Sequence, residues 1–282
     1  MTFQPAIPLG GIAGWAFLNR THASQSQSFS DSAVQKRDVA HFRDHIADIS
    51  TARELVTDRQ LLKVALGAFG LDGDIDKRFF VRTVLEQGTG DAGAMANRLV
   101  DKRYADLTDA FGFGSPGGPH TRRSGFAREI TAAHQTRQFE IAVGQQNPSM
   151  RLAMSFGREI QSIAAGPQTG NTGWFRILGS PPLRQVVQTA FNLPDAFASL
   201  DIDRQVATLK DHAARLFGSA EISVFQGTNA REEIINRFLT RSDTSPGSAA
   251  YSPASAALEL LQTSRSSSGG PNTIESLFAA LY

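Results

Sequence analysis

Cysteine is missing from the 282-residue sequence. Its absence excludes disulfide bonds, thiolate nucleophiles, and zinc or iron–sulfur sites held by cysteine. An excess of one charge sign is also missing, because 28 lysines and arginines face 27 aspartates and glutamates, for a net charge of +1. No overall field therefore draws the protein to nucleic acid or to an anionic membrane surface, and we expect neither as a partner.

Long apolar runs are missing as well. The N-terminal stretch MTFQPAIPLGGIAGWAFLNRTHASQ is broken by Pro5, Pro8 and glycines, and no basic residue precedes its apolar part, so it fits neither a signal peptide nor a membrane span. Elsewhere no uncharged apolar stretch approaches the roughly 18 residues that spanning requires. We therefore expect a soluble protein without membrane insertion, located in the cytoplasm.

The apolar residues that are present recur at helical spacing. Four of them step by three, four and three residues along one helix face: Val39, Phe42, Ile46 and Ile49. Thr51 and Glu54 then have the side chains of a capping box, which predicts a new helix start. Strand patterns are rare, and ISVF at 222–225 is the best candidate. The sequence therefore predicts an all-α (mainly α) fold.

One helical segment occurs twice. LLKVALGAFGL at 61–71 and LRQVVQTAFNL at 183–193 align with a constant shift of 122 residues (183 minus 61), which pairs Phe69 with Phe191. Each copy is followed by a polar loop and a further helix, and Gly70 suits the left-handed residue that ends a helix. The pattern predicts two related helix-loop-helix units whose repeated segment fills the core and carries no reactive centre.

Loop-forming sequences divide the chain. GFGSPGGP at 112–119 and GPQTGNTG at 166–173 flank two predicted helices, the second of which starts at Asn147-Pro148 by its cap and first-turn residues. After residue 241 a Ser/Gly-rich composition predicts flexibility up to residue 273. The predicted divisions are an N-terminal segment, 1–30; helical unit 1, 31–115; a connecting helical pair, 116–173; helical unit 2, a diverged repeat, 174–241; and a flexible tail with a terminal amphipathic helix, 242–282.

The last residues, TIESLFAALY, form an apolar stripe at helical spacing. This stripe packs either on the body of its own domain or, as a helix in a groove, on a partner or a neighbouring subunit. The candidate partner contacts are Ile274, Leu277, Phe278, Leu281 and Tyr282.

Two short motifs resemble ligand loops. GTGDAG at 88–93 matches the glycine pattern of a dinucleotide loop, but helical spacing precedes it where a buried strand is required, which favours a loop between helices over a phosphate cradle. DGDID places Asp72, Asp74 and Asp76 as in a calcium loop. Lys77 stands where glycine is required and Thr83 where glutamate is required, which favours turn and capping roles.

Three further groups are weaker candidates. His41 and His45, with Asp38 and Asp48 on neighbouring turns, could share a metal, but they lie away from the apolar face, where a solvated charged stripe is usual. A basic cluster is more typical of a solvated helix start than of a phosphate track; its members are Arg122, Arg123 and Arg128. There is no GxSxG motif, and most carboxylates lie at caps or beside basic residues, so we predict no catalytic residue, no metal and no cofactor.

Several strings together resemble a bacterial family of unknown function whose genes often lie in flagellar gene clusters: GWAFLNRT, DRQLLKVALGAFGL, IDKRFFVRTVLEQGTGD, LVDKRYADLTDAFGFG and GWFRILGSPPLRQVVQTAFNLP. The resemblance covers roughly residues 10–241. It implies a mainly helical protein with a connection to the flagellum. No catalytic or cofactor residue is carried over from this family.

Two hypotheses for function remain. The first is a non-enzymatic structural, assembly or interaction protein with a protein partner, associated with the flagellum. The second is a small-molecule or nucleotide-binding protein, or an enzyme, with a pocket between the helical units and the loop at 88–93 as its first candidate site. The partner and the oligomeric state stay open.

Overall fold

The computed structural model describes residues 3–166 and 170–244. Within these ranges the secondary structure is helical and contains no strand, which confirms the all-α prediction. No described helix is both long enough and apolar enough to cross a membrane. The helices are α1 (Gly11–Ser30), α2 (Ala33–His45), α3 (Ala52–Thr57), α4 (Arg59–Phe69), α5 (Arg78–Gln87), α6 (Met95–Arg98), α7 (Arg103–Phe111), α8 (Phe126–Gln146), α9 (Pro148–Ala165), α10 (Thr172–Gly179), α11 (Pro181–Ala190), α12 (Ile202–Phe217) and α13 (Thr228–Thr244).

The predicted helix starts are confirmed at two caps. The Glu54 amide donates to Thr51 Oγ1 at 3.2 Å, and the Thr51 amide donates back to Glu54 Oε2 at 3.1 Å, which completes the capping box. At the start of α9, the Met150 amide donates to Asn147 Oδ1 at 3.1 Å. Both caps satisfy amides that the first helical turn leaves without partners.

One local prediction was wrong. ISVF is not a strand but part of a 3₁₀ helix, Ile222–Gln226. With three residues per turn, Ile222 and Phe225 lie on one face, and both are buried in the core. Helix α13 continues through 242–244, the first residues of the predicted flexible tail, which stays a prediction. Its last turns are anchored by the buried Phe238 and Leu239.

The helices enclose two hydrophobic cores that share one helix. The first core is built mainly from α3 to α7, and the second from α1 and α9 to α13. Helix α8 contributes to both: Phe126 and Ile130 lie in the first core, and Phe139 and Val143 lie in the second. Because one continuous helix enters both cores, it fixes the residues on its two halves relative to each other. The predicted division into units remains a prediction, and the N-terminal helix α1 packs with the second core.

The twin segments lie in different cores. Helix α4 carries the first copy and α11 the second, and the aligned residues Leu61 and Leu183 are both about 1% exposed. Phe191 is buried in the second core, whereas Phe69 is partly buried against the first. Both copies therefore fill core volume, as expected for their apolar faces.

The two copies also end in the same backbone conformation. Gly70 has φ +72°, and Asn192, at the aligned position, has φ +56°; in the described residues it is the one non-glycine residue with positive φ. Glycine adopts this left-handed region without strain and asparagine tolerates it. The closing hydrogen bonds match at 2.9 Å, from the Leu71 amide to the Leu66 carbonyl and from the Leu193 amide to the Gln188 carbonyl.

Candidate functional site

The predicted contact residues of the tail lie outside the described residues. These are Ile274, Leu277, Phe278, Leu281 and Tyr282. The same holds for residues 245–273 of the predicted flexible region. The tail therefore stays a prediction, and the candidate site has to be sought among residues 3–166 and 170–244.

The GTGDAG segment is a loop between α5 and α6, as predicted. Its polar groups bind neighbouring parts of the protein: Thr89 donates to the Asp109 carboxylate, and the Gly93 amide donates to Asp91 Oδ1 at 2.8 Å. A Cβ at Gly88 would lie 2.7 Å from the Gly114 carbonyl oxygen, so this glycine is needed for the close approach of two loops. The segment is therefore explained by loop packing.

The three aspartates of DGDID each bind a different side chain. Asp72 accepts a hydrogen bond from Gln138 at 2.5 Å, Asp74 pairs with Lys77 at 2.7 Å, and Asp76 pairs with Arg59 at 2.7 Å. The carboxylates do not converge as calcium ligands would. Their predicted role in the turn is confirmed by the 3₁₀ turn Asp72–Asp74.

His41 and His45 stack with their ring centroids 4.3 Å apart. The Nε2 atom of His41 lies 2.7 Å from Asp58 Oδ2, and the Nδ1 atom of His45 bonds the His41 carbonyl at 2.8 Å. Asp58 also caps α4 by accepting from the Gln60 amide. In the described part of the chain, no group of three or more His, Asp or Glu is arranged to hold a metal ion.

One surface feature of the described residues is an open cavity of about 490 Å³ that four arginines line, which we call the arginine-lined cavity. Arg43 comes from α2, whereas the others come from the loop before α8 and its first turn. The full lining is Arg43, Ile46, Ala47, Thr121, Arg122, Arg123, Gly125, Ala127 and Arg128. Three of these arginines form the basic cluster that is visible in the sequence, and Arg43 lies outside that cluster.

Hydrogen bonds to neutral groups hold two of the guanidinium groups in place. Arg122 Nε donates to the Ala47 carbonyl at 3.0 Å. Arg43 donates from Nε and Nη2 to Thr131 Oγ1 at 3.4 and 3.3 Å, and the buried Thr131 hydroxyl donates in turn to the Ala127 carbonyl. Helices α2 and α8 are therefore joined at the cavity by side chains that remain positively charged.

The charges of this cavity are mostly uncompensated. Arg123 pairs with Glu129, but within the described residues Arg43, Arg122 and Arg128 form no ion pair. Some arginines elsewhere in the fold have carboxylate partners, such as Arg59 with Asp76, whereas others, such as Arg53 and Arg78, form no ion pair within the described residues; the cavity differs in bringing several arginines together. Holding like charges together without counter-charge costs free energy, so the arrangement is typical of a surface that binds an anion.

Farther along α8 than the cavity, polar side chains of α8 and α9 form a partly buried layer. Glu140 is 4% exposed and receives two hydrogen bonds from Arg158, at 2.8 and 2.9 Å, and one from Ser155 at 3.1 Å. Arg158 also bonds Glu159 at 3.2 Å, and Arg137 lies 3.6 Å from the same carboxylate. The layer therefore links α8 to α9 through charge-assisted hydrogen bonds.

His134, in the same layer, is fully buried against Gly67 of α4. Neither of its ring nitrogens has a hydrogen-bond partner among the residues that the structure describes. Burial, with a smaller contribution from Lys63, lowers the pKa of His134 from 6.5 to about 4. The nearby Asp72 and Asp38 carboxylates raise this pKa, but their effect is smaller than that of burial. The ring is therefore neutral at neutral pH.

Replacing Gly67 by alanine should destabilise the fold by about 1–3 kcal/mol, because an added Cβ would overlap the His134 ring in a packed interior. Helix propensity alone predicts the opposite sign, a gain of about 1 kcal/mol. Gly157 on α9 is the matched control, since a Cβ there would lie 3.8 Å from Ile235 Cδ1, an ordinary contact. Urea unfolding measures both variants, and equal effects at the two glycines would contradict the clash.

A second, smaller depression of about 140 Å³ lies beside the second twin segment. Phe191 borders it and stacks on His212 with ring centroids 5.4 Å apart, and burial lowers the pKa of His212. Arg237 at its rim pairs with Glu233 at 2.6 Å. Phe191 therefore packs in the core and also borders the depression. The volume of this depression is below the roughly 300 Å³ typical of ligand pockets.

Comparison with known proteins identifies a family and a fold. A family model described as "Protein of unknown function (DUF1217)" matches residues 68–241, more than half of the chain. The protein is similar to the X-ray crystal structure of a structural genomics target from Agrobacterium tumefaciens, with a TM-score of 0.69 and 22% sequence identity over 86% of this chain and 98% of that chain. At this identity the likeness shows the fold alone. Comparison with curated proteins gave no match.

Proposed function

Because the chain belongs to DUF1217, a family of proteins of unknown function, we propose its function from its own geometry: a non-enzymatic interaction protein that binds a protein partner through the arginine-lined cavity. The observation that carries this proposal is the group of cavity arginines without ion-pair partners in the described chain, Arg43, Arg122 and Arg128. A guanidinium group stays protonated at all physiological pH values, so it binds a negatively charged group and does not act as a general acid or base.

The helical frame supports the same proposal. Helix α8 begins at the cavity and continues into both hydrophobic cores, so it carries Arg128 on a rigid element and anchors the loop that carries Arg122 and Arg123. Arg43 reaches it from α2, which Thr131 joins to α8. A partner that contacts this surface therefore meets arginines whose backbone positions are set before binding.

We place the partner among flagellar components. This part of the proposal rests on the resemblance of the chain to proteins encoded in flagellar gene clusters. The predicted tail stripe, which ends at Tyr282, would supply a second contact to the same partner.

Affinity purification from the native cell tests the proposal. The native chain should recover one partner, and the double variant Arg43→Glu/Arg122→Glu should lose at least about 90% of it, because charge reversal makes the cavity repel an acidic surface. The control Arg53→Glu/Arg78→Glu makes the same charge change at exposed arginines outside the cavity and should keep the partner. A variant without residues 274–282 measures the tail separately.

Two outcomes would contradict the proposal. One is equal recovery of the partner by the cavity variant and the native chain, provided that circular dichroism shows both to be folded. The other is the absence of any specific partner of the native chain.

The cavity volume favours one alternative function, the binding of a small ligand. About 490 Å³ lies within the range of roughly 300–1,000 Å³ typical of ligand sites. A thermal-shift screen with nucleotides discriminates the two functions, because a ligand that binds the folded state raises the melting temperature with its concentration.

A further inference from the structure

We propose that the arginine-lined cavity is an oxyanion site, which takes a carboxylate or a phosphate group in contact with its guanidinium groups. This inference rests on the proposed function, because it names the chemical group by which a partner would be held. An acidic protein segment and a phosphate both supply such a group, and the same guanidinium groups would recognise either of them. The experiment below distinguishes these two sources.

The donors of the cavity are only partly used. Arg122 bonds the protein through Nε alone, which leaves both terminal nitrogens of its guanidinium group for a ligand. Arg43 uses Nε and Nη2 on a single hydroxyl oxygen, at 3.3 Å or longer, and Nη1 remains. Within the described chain, the Arg128 side chain makes no hydrogen bond or ion pair, and it lies against Gly125 at the rim. Planar guanidinium groups match the paired oxygens of carboxylate and phosphate.

No carboxylate of the described residues neutralises these donors. The one acidic side chain bound at the cavity is Glu129, which pairs with Arg123. Asp44 and Asp48 are close in sequence to Arg43, and both are exposed without bonding it. The cavity therefore keeps the charge of its three other arginines, and Glu129 is the one carboxylate of the described residues that is bound there.

The rest of the lining favours recognition by charge. Four of the nine lining residues are arginines, and Ile46 is the one large apolar side chain among the others. The Thr121 hydroxyl donates to the Ile49 carbonyl at 2.7 Å and fixes the loop that carries Arg122. The lining residue Ala127 lies in the first turn of α8, whose amides add a small positive potential. Binding should therefore be steeply weakened by salt.

Isothermal titration calorimetry on the purified full chain tests the inference with three probes: inorganic phosphate, a hexaglutamate peptide and, as a control, a hexalysine peptide. We expect at least one anionic probe to bind at low ionic strength and the hexalysine peptide not to bind. Raising the ionic strength from about 50 to about 200 mM should weaken binding. Binding of phosphate indicates a phosphate group as the natural ligand, and binding of hexaglutamate alone indicates an acidic segment.

Matched variants assign the binding to the cavity. Arg43→Gln/Arg122→Gln should weaken the binding probe at least about tenfold, since two charge-assisted contacts are removed. Arg53→Gln/Arg78→Gln, at exposed positions outside the cavity, should change it less than about twofold.

The outcomes separate this inference from the proposed function. If neither anionic probe binds, or if the cavity variant binds as the native chain does, the oxyanion site is wrong. Partner capture that depends on Arg43 and Arg122 without binding of either probe would leave the proposed function standing. Binding of a probe without any captured protein would overturn the proposed function and leave the oxyanion site.

Discussion

Replacing Arg158 by methionine should lower the free energy of unfolding by about 3–5 kcal/mol, because it removes the cation that donates two hydrogen bonds to the buried Glu140 carboxylate. The Glu140 side chain is 5% exposed, whereas that of Arg158 is 29% exposed, so the partner left behind is the one that solvent cannot reach. Ser155 alone would still donate to the carboxylate. Urea unfolding at pH 7 measures the loss.

Two further variants separate the buried ion pair from a general effect of arginine removal. Arg204→Met removes an exposed pair, in which the Arg204 and Asp201 side chains are 76% and 60% exposed, and should cost less than about 1 kcal/mol. The double variant Arg158→Met/Glu140→Met replaces both charges with apolar side chains and should recover much of the loss. A loss for Arg158→Met no larger than that for Arg204→Met would contradict a structural role for the polar layer.

Acidification from pH 6.5 towards pH 4 should remove about 3 kcal/mol of stability through His134 alone, because its pKa is lowered from 6.5 to about 4 in the folded protein. The unfolded chain binds the proton at the higher pH, since its imidazole is solvated. The contribution of the neutral ring is therefore complete above pH 6.5 and is lost as the pH falls towards 4. The charges that face the ring are Asp72 of the turn after α4, Lys63 of α4 and Asp38 of α2.

The variant His134→Leu isolates this contribution. Carboxylates also titrate as the pH falls, but they are present in both the native chain and the variant, so their effect cancels in the difference. Its unfolding free energy should match or exceed that of the native protein at pH 7, since two buried nitrogens without partners are removed. The difference between the two chains should then grow as the pH falls. His45→Leu, at an exposed position, should follow the native curve. Parallel curves for His134→Leu and the native chain would refute the assignment.

Local features of this fold were predictable because each is decided within a few residues of chain. Thr51 and Glu54 close a capping box three residues apart, and Asn147 caps α9 in the same way. Gly70 ends α4 in the left-handed conformation that its position predicts. The 222–225 segment was mistaken for a strand because a short apolar run buries equally well in either structure, and only its neighbours decide.

The candidate site was predictable only in part. Arg122, Arg123 and Arg128 lie within seven residues of one another, so their charge pattern is visible in the sequence, although it favoured a solvated helix start. Arg43 carries no local signal, because it reaches the cavity through the packing of α2 against α8. The burial of His134 also has no local sequence signal, because on an isolated helix an imidazole is an ordinary polar side chain. Its burial follows from the contact with Gly67.

The sequence by itself determined the all-helical class, the starts of α3 and α9, the end of α4 and the burial of the twin segments, since periodicity and caps act over one or two turns. Tertiary structure decided that the twin segments lie in separate cores, that α8 enters both, and that Arg43 joins Arg122 beside a cavity. The physical reason is distance along the chain. A charged or polar side chain is stabilised or destabilised by groups far away in sequence, and those groups meet it only after the helices have packed.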